Sequence, residues 1–178
     1  MTRPQLEHII RAAGTIADDD DVVVIGSQAI LGEFPDAPGE FLVSNEAVVF
    51  PRSRVERSDL IDATIGEGSP FQNSFGYYAH GVDYTTAVLP ERWRNRLVLV
   101  TGENTRGIRG WCLEVHDLAI SKYVAGRDKD VDFTDALVRR GMVSRAILEE
   151  RLAVTDLDPQ LRAVVQARID AQFGRMER

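Results

Sequence analysis

A chain of 178 residues is long enough for one domain with a real core, or for one domain plus a helical appendage. Its 44% hydrophobic and 28% charged residues are ordinary for a globular protein. The net charge of −7 argues against broad nonspecific nucleic-acid binding: residues 1–100 carry 8 Lys/Arg against 15 Asp/Glu, whereas residues 101–178 carry 13 of each and leave room only for a local basic face.

The spacing predicts a helix over residues 3–17, capped by Thr2, with Pro4 in its first turn and Leu6, Ile9, Ile10, Ala13 and Ile16 on one face. The run Asp18 to Asp21 reads as a solvated turn, because adjacent carboxylates diverge. Val22 to Ile25 is a continuous β-branched run, hence a buried strand. A short helix starts at Ser27, and Phe34 to Glu40, with two prolines and a glycine, is a loop. Glu46 to Phe50 is a second strand ended by Pro51, and Ser58 to Ile65 a helix with Ser58 as N-cap. Val82 to Val88 and Leu97 to Val100 read as strands, with Leu113 to Val115 as a further candidate. From His116 the pattern is helical, punctuated by Gly126, Gly141, Ser144 and Asp158-Pro159. The expected plan is an α/β unit over residues 1–115 and a helical part over 116–178 packed on it.

One cysteine, Cys112, rules out an intramolecular disulfide and suits a reducing compartment. Residues 1–20 lack the apolar stretch of a signal peptide, and no run approaches a membrane span. A soluble cytoplasmic protein is the expectation.

The chemistry is concentrated where the first strand meets Gly26-Ser27. A strand, Gly-Ser and a helix can aim backbone N–H groups at a phosphate, with the Ser27 hydroxyl adding a donor. Taken alone, a tight turn with an N-cap is the simpler reading. The spacing of Gly26 and Gly32 fits neither the dinucleotide fingerprint nor the P-loop.

"GS" after an apolar strand, followed after a loop by "SNEAVV", resembles the signature of the minimal nucleotidyltransferase superfamily. More closely, it is similar to a bacterial branch of nucleotidyltransferases of unknown function, distantly related to the AbiEii-type toxins of toxin–antitoxin systems. "YYAHGVDYTTAVLPERWRNRL" and "VHDLAISKYVAGRDKDVDFTDALVRRGMV" extend the resemblance over roughly residues 20 to 145. It implies a mixed sheet flanked by helices, with a helical C-terminal part. It also implies Mg2+ or Mn2+ held by carboxylates, with a nucleoside monophosphate passing from a nucleoside triphosphate to an acceptor. Residues i and i+2 of a strand share a face, so paired carboxylates can converge on a hard cation.

On this resemblance Gly26 and Ser27 match the phosphate-contacting turn, Glu46 the first carboxylate and Asp83 the third. Lys122 matches a lysine that contacts the triphosphate; without the resemblance it reads as a solvated helix lysine. The departure is Val48, which stands at the second carboxylate position and cannot bind metal. His80 is close to Asp83 in sequence and is a candidate cleft residue, while His8 reads as a surface or packing residue and Trp93 and Trp111 as core or edge packing. Arg92, Arg94 and Arg96 read as a solvated turn, with contact to a phosphate-bearing acceptor such as RNA as the second reading. Two functions follow: metal-dependent nucleotidyl transfer to an RNA, protein or small-molecule acceptor, or a catalytically inactive nucleotide- or protein-binding module. A third needs no nucleotide, an antitoxin-like partner that works through its C-terminal helices.

Overall fold

A computed structural model describes residues 1–176 of the chain. The chain folds as two units. The first comprises Met1–Thr86 and Leu97–Glu114, and the second comprises Ala87–Arg96 and Val115–Arg178.

The first unit is a mixed five-stranded sheet with helices. Helix α1 (Arg3–Ala17) buries Leu6, Ile9, Ile10 and Ala13, and its first turn is tied by the Thr2 N–H donating to Gln5 Oε1 at 2.7 Å. Strands β1 (Asp21–Val24), β2 (Glu46–Pro51), β3 (Tyr78–Gly81), β4 (Val98–Val100) and β5 (Arg109–Cys112) lie in the order β3-β2-β1-β5-β4. Pairing is antiparallel for β1 with β2 and for β4 with β5, and parallel for β1 with β5 and β2 with β3. Short helices α2 (Ile30–Glu33), α3 (Ser58–Ile65) and α4 (Pro70–Phe75) complete the unit.

Glycines show which face of the sheet carries the helices. A Cβ on Gly110 would lie 2.4 Å from Ile10 Cδ1 of α1, one on Gly81 would lie 2.1 Å from the Ser58 carbonyl oxygen of α3, and one on Gly32 of α2 would lie 2.5 Å from Cys112 Cβ. Gly110, Cys112, Val49 and Gly81 share one face by register, so α1, α2 and α3 all pack there. Alternation then sends Glu46, Val48, Tyr78 and His80 to the opposite face.

The second unit contains α5 (Val115–Ala125), α6 (Asp128–Arg139), α7 (Arg145–Ala153) and α8 (Pro159–Met176). Gly126 and Gly141 follow α5 and α6 in the left-handed region, at φ 61° and 64°. Asp158 caps α8 by accepting from the N–H groups of Gln160 and Leu161. Buried Asp117 receives Arg96 Nε at 2.8 Å and Nη2 at 3.0 Å, which fastens the 87–96 segment to α5. Among the described residues no helix is long and apolar enough to cross a membrane.

Several expected elements are corrected. The third strand is Tyr78–Gly81, not Val82 to Val88, because the chain turns at Asp83, whose carboxylate accepts from the Thr85 N–H at 2.7 Å and from the Thr85 hydroxyl. The last strand is Arg109–Cys112 rather than Leu113 to Val115. Ser58 does not cap α3; its hydroxyl donates to the Val55 carbonyl at 2.8 Å. The Asp18–Asp21 run is not simply solvated. Asp19 is buried and accepts from the N–H groups of Asp21, Ser53 and Arg54, and Asp21 accepts from Arg109 and the Trp111 indole.

Candidate functional site

The site lies at the end of β1 and on the face of β2 and β3 away from the three helices. Pairing of β1 with β2 continues one residue beyond β1, through the Ile25 N–H to the Val48 carbonyl at 3.0 Å. That contact sets Gly26 directly against Val48. A Cβ on Gly26 would lie 2.8 Å from Val48 Cγ2 and 2.9 Å from Val48 Cβ. Gly26 is extended, at φ −81° and ψ −176°, so it is the close approach and not the backbone angle that demands glycine.

Ser27 opens a 3-10 turn, Ser27–Ala29, that runs straight into α2. The turn is anchored from below by Gln28, which is buried and donates through Nε2 to the Phe41 carbonyl at 3.2 Å. Gln28 thereby ties the turn to the loop that separates α2 from β2.

Glu46 opens β2, and Val48 follows it on the same face. The parallel register places Tyr78 beside Glu46 and His80 beside Val48. His80 Nδ1 lies 3.0 Å from Glu46 Oε1, and both side chains keep contact with solvent. Burial, followed by the charges of Glu46, Glu67 and Asp62, pushes the Tyr78 phenol above its ordinary pKa. The phenol therefore stays protonated beside the carboxylate.

Asp83 lies two residues beyond β3, and the Thr85 hydroxyl and N–H hold its carboxyl below the usual range. His80 and Asp83 line a single open concavity of 510 Å³, together with Glu56, Ser58, Asp59 and Thr86. His80 thus bonds Glu46 and also borders the concavity of Asp83, which takes in Ser58 and Asp59 of α3 but not Glu46. Sequence spacing gave His80 only a minor place, because its partnership with Glu46 depends on the β2–β3 register.

The donor set does not fit a two-metal centre. Val48 occupies the second carboxylate position, Glu46 is engaged by His80 and Asp83 by Thr85. Among the described residues, no group of three or more His, Cys, Asp or Glu side chains could hold a metal ion.

Lys122 lies on α5 in the second unit. It is buried, its Nζ is 3.1 Å from Asp130 Oδ1, and burial, the largest effect, holds its pKa below the ordinary lysine value despite Asp130. It is therefore not a solvated helix lysine. Of the other candidates, Arg96 is bonded to Asp117 rather than lying in a solvated turn, while the Arg94 guanidinium sits 4.7 Å from the centre of the Trp93 ring. His8 packs against Phe71, Phe75 and Tyr77, as a packing residue should.

Neither a curated protein nor a solved structure matches the chain. A family model described as a nucleotidyltransferase of unknown function (DUF6036) matches residues 4–164. The match spans both units and includes the Gly26-Ser27 turn, Glu46 and Lys122, and the chain belongs to that nucleotidyltransferase family.

Proposed function

We propose that this chain is a nucleotide-binding member of its family in which nucleotidyl transfer is weak or absent. The observation that carries the reading is the contact of Val48 with Gly26. At the position where a transferase needs a second metal-binding carboxylate, an apolar side chain instead closes over the glycine of the phosphate turn.

What supports nucleotide binding is membership of the family, together with a Gly-Ser turn beside a strand face that retains Glu46. On this reading the phosphates meet the Gly26-Ser27 turn and the Ser27 hydroxyl, and the Glu46–His80 pair faces the bound nucleotide. Lys122 is left out of the assignment, since its ammonium is already neutralised by Asp130.

Thermal stabilisation by each nucleoside triphosphate, with and without Mg2+ or Mn2+, tests the binding step. A ligand at 100 times its Kd adds about 2.7 kcal/mol. Pyrophosphate release from labelled triphosphate tests the transfer step. Binding without release is the expected outcome. Stoichiometric or catalytic release would restore the metal-dependent transfer reading, with RNA or protein as the acceptor to search for. The absence of any nucleotide effect would favour a protein-binding module, such as one partner of a toxin–antitoxin pair.

A further inference from the structure

The second unit contains a cavity of 140 Å³ between α5, α6 and α8. Its charged lining is one-sided: Lys122, Arg168 and Arg175 face it, and among the described residues no carboxylate does. Two of these cations have a carboxylate set behind the wall. Lys122 pairs with Asp130 at 3.1 Å, and Arg175 Nη2 with Asp135 Oδ1 at 2.6 Å.

Arg168 differs. Among the described residues it forms no ion pair, and Nη1 donates to the Tyr123 carbonyl at the end of α5. Gly126 makes room for it: the residue is left-handed at φ 61°, and a Cβ there would lie 2.1 Å from Arg168 Nη1. A guanidinium with five donors and one acceptor in reach retains donors for a further partner.

The floor of the cavity is rigid and internally satisfied. Tyr123 Oη donates to Gln172 Oε1 at 2.6 Å, and Gln172 Nε2 donates to Thr134 Oγ1 at 2.9 Å and to the Val131 carbonyl at 3.2 Å. Gln172 and Thr134 are almost fully buried. The floor therefore has no carboxylate to repel an anion, and the charge left over belongs to Arg168.

We propose that this cavity binds a small oxyanion, a phosphate or carboxylate group, through Arg168, the lining cation that has no ion-pair partner among the described residues. Size sets the class. The volume is close to that of a cavity of about 150 Å³ that accepts benzene, and well below the roughly 300–1,000 Å³ of drug-sized sites. A nucleotide is too large, whereas an inorganic phosphate or a short carboxylic acid fits. The proposal does not rest on nucleotide binding by the first unit.

The test is a titration of the full chain with inorganic phosphate and, separately, with acetate, each against chloride at equal ionic strength. Binding is read by calorimetry and by the shift in unfolding temperature. Saturable binding of either anion is expected, and the arm that saturates identifies the group. Arg168→Gln should weaken it at least tenfold, Arg168→Lys less, and Arg145→Gln, outside the cavity, not at all. Because Arg168 also bonds the end of α5, its loss could unfold the unit. Ala171→Leu covers that case: it narrows the mouth from an exposed position on α8, leaves Arg168 in place and should also weaken binding at least tenfold. No saturable effect beyond chloride, or equal binding by wild type and Ala171→Leu, overturns the proposal.

Discussion

Val48 lies so close to Gly26 that no side chain fits between them: a Cβ on Gly26 would be 2.8 Å from Val48 Cγ2. Gly26→Ala should therefore cost about 1–3 kcal/mol, as overpacking of a settled contact does. Since Val48 Cβ is itself 2.9 Å from the added atom, Val48→Ala should relieve only part of that cost and Val48→Gly more. Urea midpoints of the single and double variants measure the coupling. Additive costs would show that Gly26 is needed for its backbone alone.

Val48 also shares the strand face of Glu46, beside His80. Val48→Asp would place a second carboxylate two residues from the first. Affinity for Mg2+ or Mn2+ should rise by about tenfold, because hard-cation affinity follows the number of charged ligands. Calorimetry on the folded variant decides the matter. Unchanged metal affinity would mean that Val48 does not replace a lost ligand, and that the contact with Gly26 is packing alone.

His8 gives the first unit a pH dependence. Its ring stands 5.1 Å from Phe71, 4.7 Å from Phe75 and 6.0 Å from Tyr77, and Nδ1 is 2.8 Å from the Tyr77 hydroxyl. Burial, then the nearby charge of Arg11, holds the imidazole below its ordinary value of 6.5. The unfolded chain therefore takes up this proton first as pH falls. The stabilisation is complete above pH 6.5 and is lost as pH falls from there through the folded-state value. His8→Phe keeps a ring in the cluster and removes the titration. The wild type should lose more stability than the variant between about pH 7.5 and about pH 5, measured by urea midpoints. Equal losses would place the pH dependence on the carboxylates.

Legibility tracked how local each signal is. Helix α1, strands β1 and β2, helix α3 and the four C-terminal helices follow from periodicity and from caps such as Asp158-Pro159 and Gly126. Strand β5 did not follow, because Arg109, Gly110 and Trp111 form a strand only through tertiary partners. Arg109 and Trp111 bond Asp21, and Gly110 lies beneath Ile10. Helix α4 has six residues, too few for a periodic signal, and depends on the Ser69 hydroxyl accepting from Gln72 N–H. In the site, the i, i+2 relation of Glu46 and Val48 is written in the sequence. The His80–Glu46 bond is not, since it needs β3 to start at Tyr78 and to pair with β2 in parallel.

Asp117 is a fully buried charge of the second unit. It has no solvent contact, accepts two hydrogen bonds from Arg96 and has Arg151 Nε at 3.3 Å. That last distance is within ion-pair range, but Arg151 Nε is not aligned as a hydrogen-bond donor and has no other partner among the described residues. The contact with Arg151 is accordingly charge without direction, and Arg96 supplies the directional hold. Removing the carboxylate would leave Arg96 and Arg151 facing each other across a buried gap, with Arg151 still paired to Glu150 through Nη1 at 2.7 Å. Asp117→Asn keeps the shape and removes the charge, and should cost about 3–5 kcal/mol, the range for breaking a buried pair. Arg151→Met should cost less than Arg96→Met, which also gives up the bond from Arg96 Nη2 to the Glu91 carbonyl at 3.0 Å. Chemical denaturation of the three variants sets the order. Equal costs for the two arginine variants would mean that the two cations hold Asp117 alike and that geometry contributes nothing beyond charge.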